Sequence, residues 1–294
     1  MYPINYTEPL FRPPSEAYSL ILQPTIGCSW NRCAFCEMYT TKKFSIRDID
    51  EVKAEIRSME PYADHVRKVF LADGNAMVLP ADYLLALLAV LKENFPRLTR
   101  VSAYAIPKDL NAKTVEELAQ IREAGLKLIY VGIESGDDEV LRMVNKGETY
   151  DSTVEGMLRS KEAGMKSSVM ILSGLGGTKY SYQHAVNSAR VVNAVQPEFL
   201  STLVLSYPYG LEHFRKRFKG EFEPCEIADL LDELKVFLEH TDLEQTIFRS
   251  DHASNYLVLK GTLGREKKRM IKEIDTALSD PGNAGLRPEF LRGL

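Results

Sequence analysis

The chain has 294 residues, 45% of them apolar and 27% charged, and its 37 basic and 41 acidic side chains leave a net charge of −4. Such a chain can bury roughly three quarters of its unfolded surface without disulfides, which excludes the disordered, collagenous and small disulfide-stapled classes. The acidic balance argues against a broad nucleic-acid or anionic-membrane face. The run Lys260, Arg265, Lys267, Lys268 and Arg269 reads as a solvated helix face, with a local basic patch as the alternative. No stretch reaches about 18 uncharged apolar residues, so no membrane span is expected. The first residues lack the basic start and apolar core of a secretion signal, and the expected compartment is the reducing cytoplasm.

In chain order, six short apolar, β-branched runs read as buried parallel strands: residues 19–25, 66–72, 100–106, 126–133, 167–172 and 199–205. Helical patterns lie between them at 46–59, 81–91, 114–125, 153–164 and 182–195, with another at 227–240. In the first, Ile49, Val52, Ile56 and Met59 share one face; the third and fourth end in Glu-Ala-Gly, placing Gly125 and Gly164 as C-caps. Strand and helix in alternation mean an α/β fold with right-handed crossovers. The expectation is a partial (β/α)6 barrel of parallel strands with a C-terminal α/β extension. Its parts are an N-terminal extension at 1–18, the barrel at 19–210 and, at 211–294, an extension covering the barrel mouth. Within that extension 245–249 reads as strand-like, 265–278 as a helix and 281–285 as loop.

Three of the four cysteines, Cys28, Cys33 and Cys36, fall within nine residues directly after the first strand. Loops at that end of parallel strands carry the active sites of α/β folds. In a reducing compartment such crowding points to metal before disulfide. Three thiolates can hold three irons of a [4Fe–4S] cluster, leaving the fourth iron open to a substrate or cofactor. A structural zinc site wants four ligands and would need His65 or Cys225 to approach in the folded chain. Three unligated cysteines are the remaining alternative. Cys225, alone after Pro224 where a helix opens, reads as structural.

The cysteine loop, with Phe35 just before its last cysteine, resembles the cluster loop of the radical S-adenosylmethionine (radical SAM) superfamily. The spacing here is four residues and then two, where that superfamily usually has three and then two. After the second strand, Asp73-Gly74-Asn75 stands where the superfamily keeps a glycine-rich segment whose backbone binds the cofactor's amino group. After the fourth strand, the segment from Gly132 to Gly147 is similar to one in oxygen-independent coproporphyrinogen dehydrogenases and methylthiotransferases. There a Glu or Gln and a basic residue twelve positions on contact the cofactor, which here are Glu134 and Lys146. After the fifth strand, Gly174, Leu175, Gly176, Gly177 and Thr178 resemble that group's turn beneath the adenine. The resemblance spans about residues 19–210. It implies a [4Fe–4S] cluster on Cys28, Cys33 and Cys36, and S-adenosylmethionine held by Phe35, Asp73, Gly74, Asn75, Glu134, Lys146, Gly174 and Leu175. It further implies an electron donor such as flavodoxin or ferredoxin.

Simple chemistry is compatible with these roles. Glu134 at a strand end can accept from ribose hydroxyls, or else is a helix N-terminal acid. Lys146 can meet a carboxylate as a point charge, or else is a solvated lysine. Gly174, Gly176 and Gly177 allow close backbone approach to a ligand, or else form a flexible turn. On the substrate side, Tyr207 and Tyr209 follow the sixth strand and could stack on a planar molecule. Arg249, His252, Asn255 and Tyr256 form a dense polar stretch, read as a loop over the barrel mouth, with a capped turn as the plainer alternative. No second cysteine cluster is present. The resulting expectation is a radical SAM enzyme of a small or medium substrate. The alternatives are a cluster-containing carrier or cofactor chaperone of the same fold, and a zinc-stabilised binding protein.

Overall fold

The computed structural model describes residues 4–292. Its first half contains β1 (Leu20–Leu22), β2 (Thr25–Ile26), β3 (Ser45–Ile46), α1 (Ile49–Ser58), β4 (Lys68–Leu71), α2 (Ala81–Asn94), β5 (Arg100–Ala105), α3 (Pro107–Asn111), α4 (Val115–Ala124) and β6 (Leu126–Glu134). There follow α5 (Asp138–Met143), α6 (Tyr150–Glu162), β7 (Lys166–Ser173), α7 (Gly177–Val195), β8 (Phe199–Val204), α8 (Leu211–Arg217), α9 (Ile227–His240), β9 (Ile247–Ser250), β10 (Leu259–Thr262) and α10 (Leu263–Ser279). Eight strands form one sheet in the order β1-β4-β5-β6-β7-β8-β9-β10, and β2 and β3 form a separate two-stranded ribbon. The pairs β1–β4, β4–β5, β5–β6, β7–β8 and β8–β9 are parallel, and β9–β10 is antiparallel. The fold is therefore α/β with a mostly parallel sheet, as the alternating pattern requires.

The elements start and stop where local chemistry allows. Asp48 caps α1 by accepting from the Asp50 and Glu51 amides. Thr114 and Glu117 cap α4 reciprocally, and Gly125 ends it at φ 128°. The run 19–25 is not one strand. β1 ends at Leu22, Pro24 has no amide to donate, and the chain turns into β2, which pairs with β3. β10 lacks apolar alternation, with Lys260 and Gly261 at its centre, and only its pairing with β9 defines it. α7 starts at Gly177 rather than at 182, because its first turn is too polar to show a periodic face.

The chain divides into two compact units. The first takes the chain up to Asn31, Cys36–Val131 and Glu155–Ser167; the second takes Arg32–Phe35, Gly132–Val154 and everything from Ser168 on. In the first, Leu22, Val69, Phe70 and Leu71 are buried on adjacent strands, and Leu84, Leu87 and Leu91 of α2 are fully buried. In the second, Val140, Met143, Leu172, Leu175 and Phe214 form a cluster with Phe222, whose ring centroid lies 4.7 Å from that of Phe214. Side chains of this size each contribute about 1.5–3 kcal/mol when fully buried. Among the described residues no helix is long and apolar enough to cross a membrane.

Candidate active site

In the first unit, the segment after β4 braces the loop after β1. Asp73 is fully buried and pairs with the buried Lys42 at 2.7 Å. The same carboxylate accepts from the Gly27 amide at 2.8 Å and from Gln23 Nε2 at 3.0 Å. Asn75 Oδ1 accepts from the Ser29 amide at 3.0 Å, while its Nδ2 donates to Ser29 Oγ at 2.7 Å and to Asp109 Oδ2 at 2.8 Å. Burial pushes the Asp109 carboxyl above its ordinary range, against the pull of Asn75, the Ile106 amide and Lys113. A Cβ on Gly74 would lie 2.6 Å from Cys28 Cβ, so only glycine lets this segment meet the cysteine loop. The side chains of Asp73 and Asn75 thus fix the flanks of Cys28 and are committed to the protein. Sequence reasoning had no means of finding Lys42, Gln23 or Asp109, which are far from these partners along the chain and belong to no motif. Tyr39 is buried with its hydroxyl lacking a partner among the described residues, and burial beside Asp73 pushes its pKa upward.

The second unit holds the middle of the cysteine loop. The Ala34 amide donates to the Val144 carbonyl at 2.8 Å, and Arg217 Nη2 donates to the Cys33 carbonyl at 2.7 Å. Lys146 Nζ lies 5.7 Å from the Phe35 ring centroid. It also reaches Glu134 Oε1 at 3.3 Å, so the two residues singled out twelve positions apart meet directly. Glu134 ends β6 in the left-handed region, at φ 68°. It is 4% exposed, and its second oxygen, Oε2, has no hydrogen-bond partner among the described residues. Burial raises its pKa, with Lys146 opposing. A buried carboxylate oxygen without a donor is costly, and a ligand hydroxyl is a chemically suitable complement.

After β7, Gly174 turns the chain at φ 78°, and its amide donates to Glu233 Oε1 of α9 at 2.7 Å. Leu175 beside it is fully buried. Cys225 precedes α9, and burial pushes its thiol up to about 12.

The substrate-side expectations divide. Tyr207 packs edge-on against Phe214 and Phe222, half-buried, and burial raises its phenol's pKa. Tyr209 is 61% exposed beside His213. Arg249 is exposed, 3.9 Å from Asp251. His252 Nδ1 accepts from the Ser254 amide at 3.1 Å, a turn-capping contact, and burial followed by Arg287 lowers its pKa. Asn255 is buried and donates to the Thr202 carbonyl at 2.8 Å. The Tyr256 hydroxyl donates to Glu289 Oε2 at 2.7 Å. Asn255 and Tyr256 also line a cavity of about 20 Å³ with Ser173, Thr202 and Leu230. Leu230, Leu231 and Leu234 of α9 line it opposite Thr202 of β8, so this cavity lies between β8 and α9. Among the described residues no three His, Cys, Asp or Glu side chains are gathered as ligands of one metal ion.

Comparison with known proteins supplies the wider frame. A sequence model of the radical SAM superfamily matches residues 22–189. A tRNA uridine(34) acetyltransferase of Methanocaldococcus infernus is 24% identical over 113 residues, 37% of this chain and 21% of that protein. The coproporphyrinogen III oxidase HemN from Escherichia coli superposes with a TM-score of 0.59 at 20% identity, covering 75% of this chain and 52% of that one. Methylornithine synthase (PylB) gives 0.50 at 16% identity, over 76% of this chain and 63% of that one. The chain thus spans less than two thirds of each relative's length, and the structural likenesses speak to the fold alone.

Proposed function

The chain belongs to the radical SAM superfamily, an enzyme whose cofactors are a [4Fe–4S] cluster and S-adenosylmethionine, and on that premise we propose how its own residues serve them. Cys28, Cys33 and Cys36 would hold three irons of the cluster, leaving one iron open for the cofactor. Glu134 accepts from the ribose, Lys146 faces the methionine carboxylate, and the Gly174–Leu175 turn supports the adenine. Backbone groups of the 73–75 segment receive the amino group, since the Asp73 and Asn75 side chains are already committed. The observation that carries this reading is Glu134: a buried strand-end carboxylate with one oxygen paired and the other lacking a donor. Three thiols on one loop suit a cluster, whose ligands are spread over separate irons.

When reduced and bound, these groups supply one-electron chemistry that opens the sulfonium and takes hydrogen from an unactivated carbon. The chain's part is to orient the cofactor, exclude water and hold charge at Glu134 and Lys146. The substrate is small or medium-sized, and a low-potential flavodoxin or ferredoxin serves as donor. Anaerobic purification tests the reading: about four irons per chain and absorption near 400 nm are expected, with 5′-deoxyadenosine formed from S-adenosylmethionine under dithionite. Zinc in place of iron, or no cofactor cleavage by iron-replete protein, would overturn it.

A further inference from the structure

α9 delivers a carboxylate to a place where a buried charge needs a reason. Glu233 is 4% exposed in an otherwise apolar helix face formed by Leu230, Leu234 and Phe237. Its Oε1 accepts from the Gly174 amide at 2.7 Å, and its Oε2 accepts from Ser181 Oγ at 2.7 Å. Burying such a group is expensive unless its hydrogen bonds do something an apolar residue could not. Here the first bond holds the amide of the glycine whose positive φ sets the turn after β7. A Cβ on Gly174 would lie 2.9 Å from Leu230 Cδ2, so the turn and α9 are also in close contact.

A second buried group faces the same carboxylate. His184 of α7 is 1% exposed, and its Nε2 lies 3.7 Å from Glu233 Oε1. On its other side, Nδ1 lies 2.8 Å from Ser135 Oγ, which itself accepts from the Asp137 amide at 3.0 Å. Ser188 Oγ lies 3.5 Å from the same Nδ1 and accepts from the Gly136 amide at 3.1 Å. Ser135 directly follows Glu134. One buried chain of polar groups, Ser135–His184–Glu233–Gly174, thus links the turn that ends in Glu134 to the glycine turn after β7.

We propose that Glu233 is a positioning residue for S-adenosylmethionine: it sets the Gly174 turn against the adenosine half of the cofactor, with His184 tying it to the Glu134 turn. This makes the segment after β8 a working part of the cofactor site. The inference rests on the assignment of Glu134 and the Gly174 turn to the cofactor.

The test is calorimetric binding of S-adenosylmethionine, and of 5′-methylthioadenosine as a probe of the adenosine half, to the cluster-loaded, unreduced enzyme. Glu233→Ala should weaken both by roughly tenfold, the scale of one lost charge-assisted hydrogen bond. Glu233→Gln should stay within about threefold of the parent, because its amide oxygen still accepts from Gly174 and the Ser181 hydroxyl can reverse. A purely structural role would lower the melting temperature of Glu233→Ala and leave both affinities of the folded, iron-replete protein unchanged; that result overturns the proposal. Glu233→Asp, which withdraws the carboxylate by one methylene, serves if the alanine variant does not fold. It should weaken 5′-methylthioadenosine several-fold, and unchanged affinity again overturns the proposal. Glu134→Ala separates the two levels. If it weakens S-adenosylmethionine while the Glu233 variants do not, only the positioning role fails. If Glu134→Ala is also silent, the cofactor assignment and the positioning role fail together.

Discussion

At the scale of single residues, Glu134 gives the sharpest expectations. Glu134→Ala or Lys146→Ala should cost about 1–3 kcal/mol of cofactor binding, the range for a hydrogen bond to a charged partner; calorimetry showing neither effect would remove both from the site. Gly132 guards the same carboxylate, since a Cβ there would lie 2.0 Å from Glu134 Oε1. Gly132→Ala must therefore displace Glu134, and should mimic Glu134→Ala in binding while leaving the carboxylate present. The pH dependence has a definite sign. Burial raises the Glu134 pKa, so the folded chain keeps this proton to higher pH than the unfolded chain does. Stability contributed by the protonated form is then full below the ordinary carboxylate value and falls as pH rises through the raised one. Denaturant titrations of the parent and Glu134→Gln should diverge in that direction, and parallel curves would contradict it. Glu134 and Lys146 could be read from the sequence only by resemblance. That one oxygen is paired and the other is not depends on rotamers and burial, which no spacing encodes.

At the scale of elements, the strands were legible because buried parallel strands are continuous apolar runs, and β4 to β8 lie where those runs are. The failures share a cause. β2, β3 and β10 are defined by partners distant in sequence, and their residues carry no period of their own. The same holds for the brace of the cysteine loop, where Lys42, after Cys36, meets Asp73 at the end of β4. Removing one member of a buried ion pair strands the other, at a cost of about 3–5 kcal/mol. Lys42→Met should therefore lower the denaturation midpoint markedly, even though methionine fits an apolar interior. Asp73→Asn should do the same and also loosen the Gly27 amide. A Lys42→Met protein as stable as its parent would show that the pair is not a fixed part of the fold.

At the scale of the whole molecule, the four cysteines make two different predictions, because the fold puts them in different chemical surroundings. Cys28 and Cys33 are each flanked by fixed backbone: the Gly27 and Ser29 amides are tied to Asp73 and Asn75, and the Cys33 carbonyl and Ala34 amide to Arg217 and Val144. Backbone held in this way can position the Cys28 and Cys33 side chains, each within its own unit, without first being ordered by metal. Cys225 is unlike them. Burial, with the carboxylates of Glu233 and Asp229 nearby, pushes its thiol up to about 12. Only the thiolate ligates iron, so burial that raises this thiol's pKa works against Cys225 as a ligand. Each of Cys28→Ala, Cys33→Ala and Cys36→Ala should therefore lose the absorption near 400 nm and most of the iron after anaerobic reconstitution, while Cys225→Ala keeps both. Stability should follow the same division. A cluster bound by the folded chain alone adds its binding free energy to folding, so iron chelation should lower the melting temperature of the parent and of Cys225→Ala. The three loop variants, having no cluster to lose, should not respond. If Cys225→Ala lost iron as fully as the others, the fourth iron would be protein-bound and the open coordination site that S-adenosylmethionine requires would not exist.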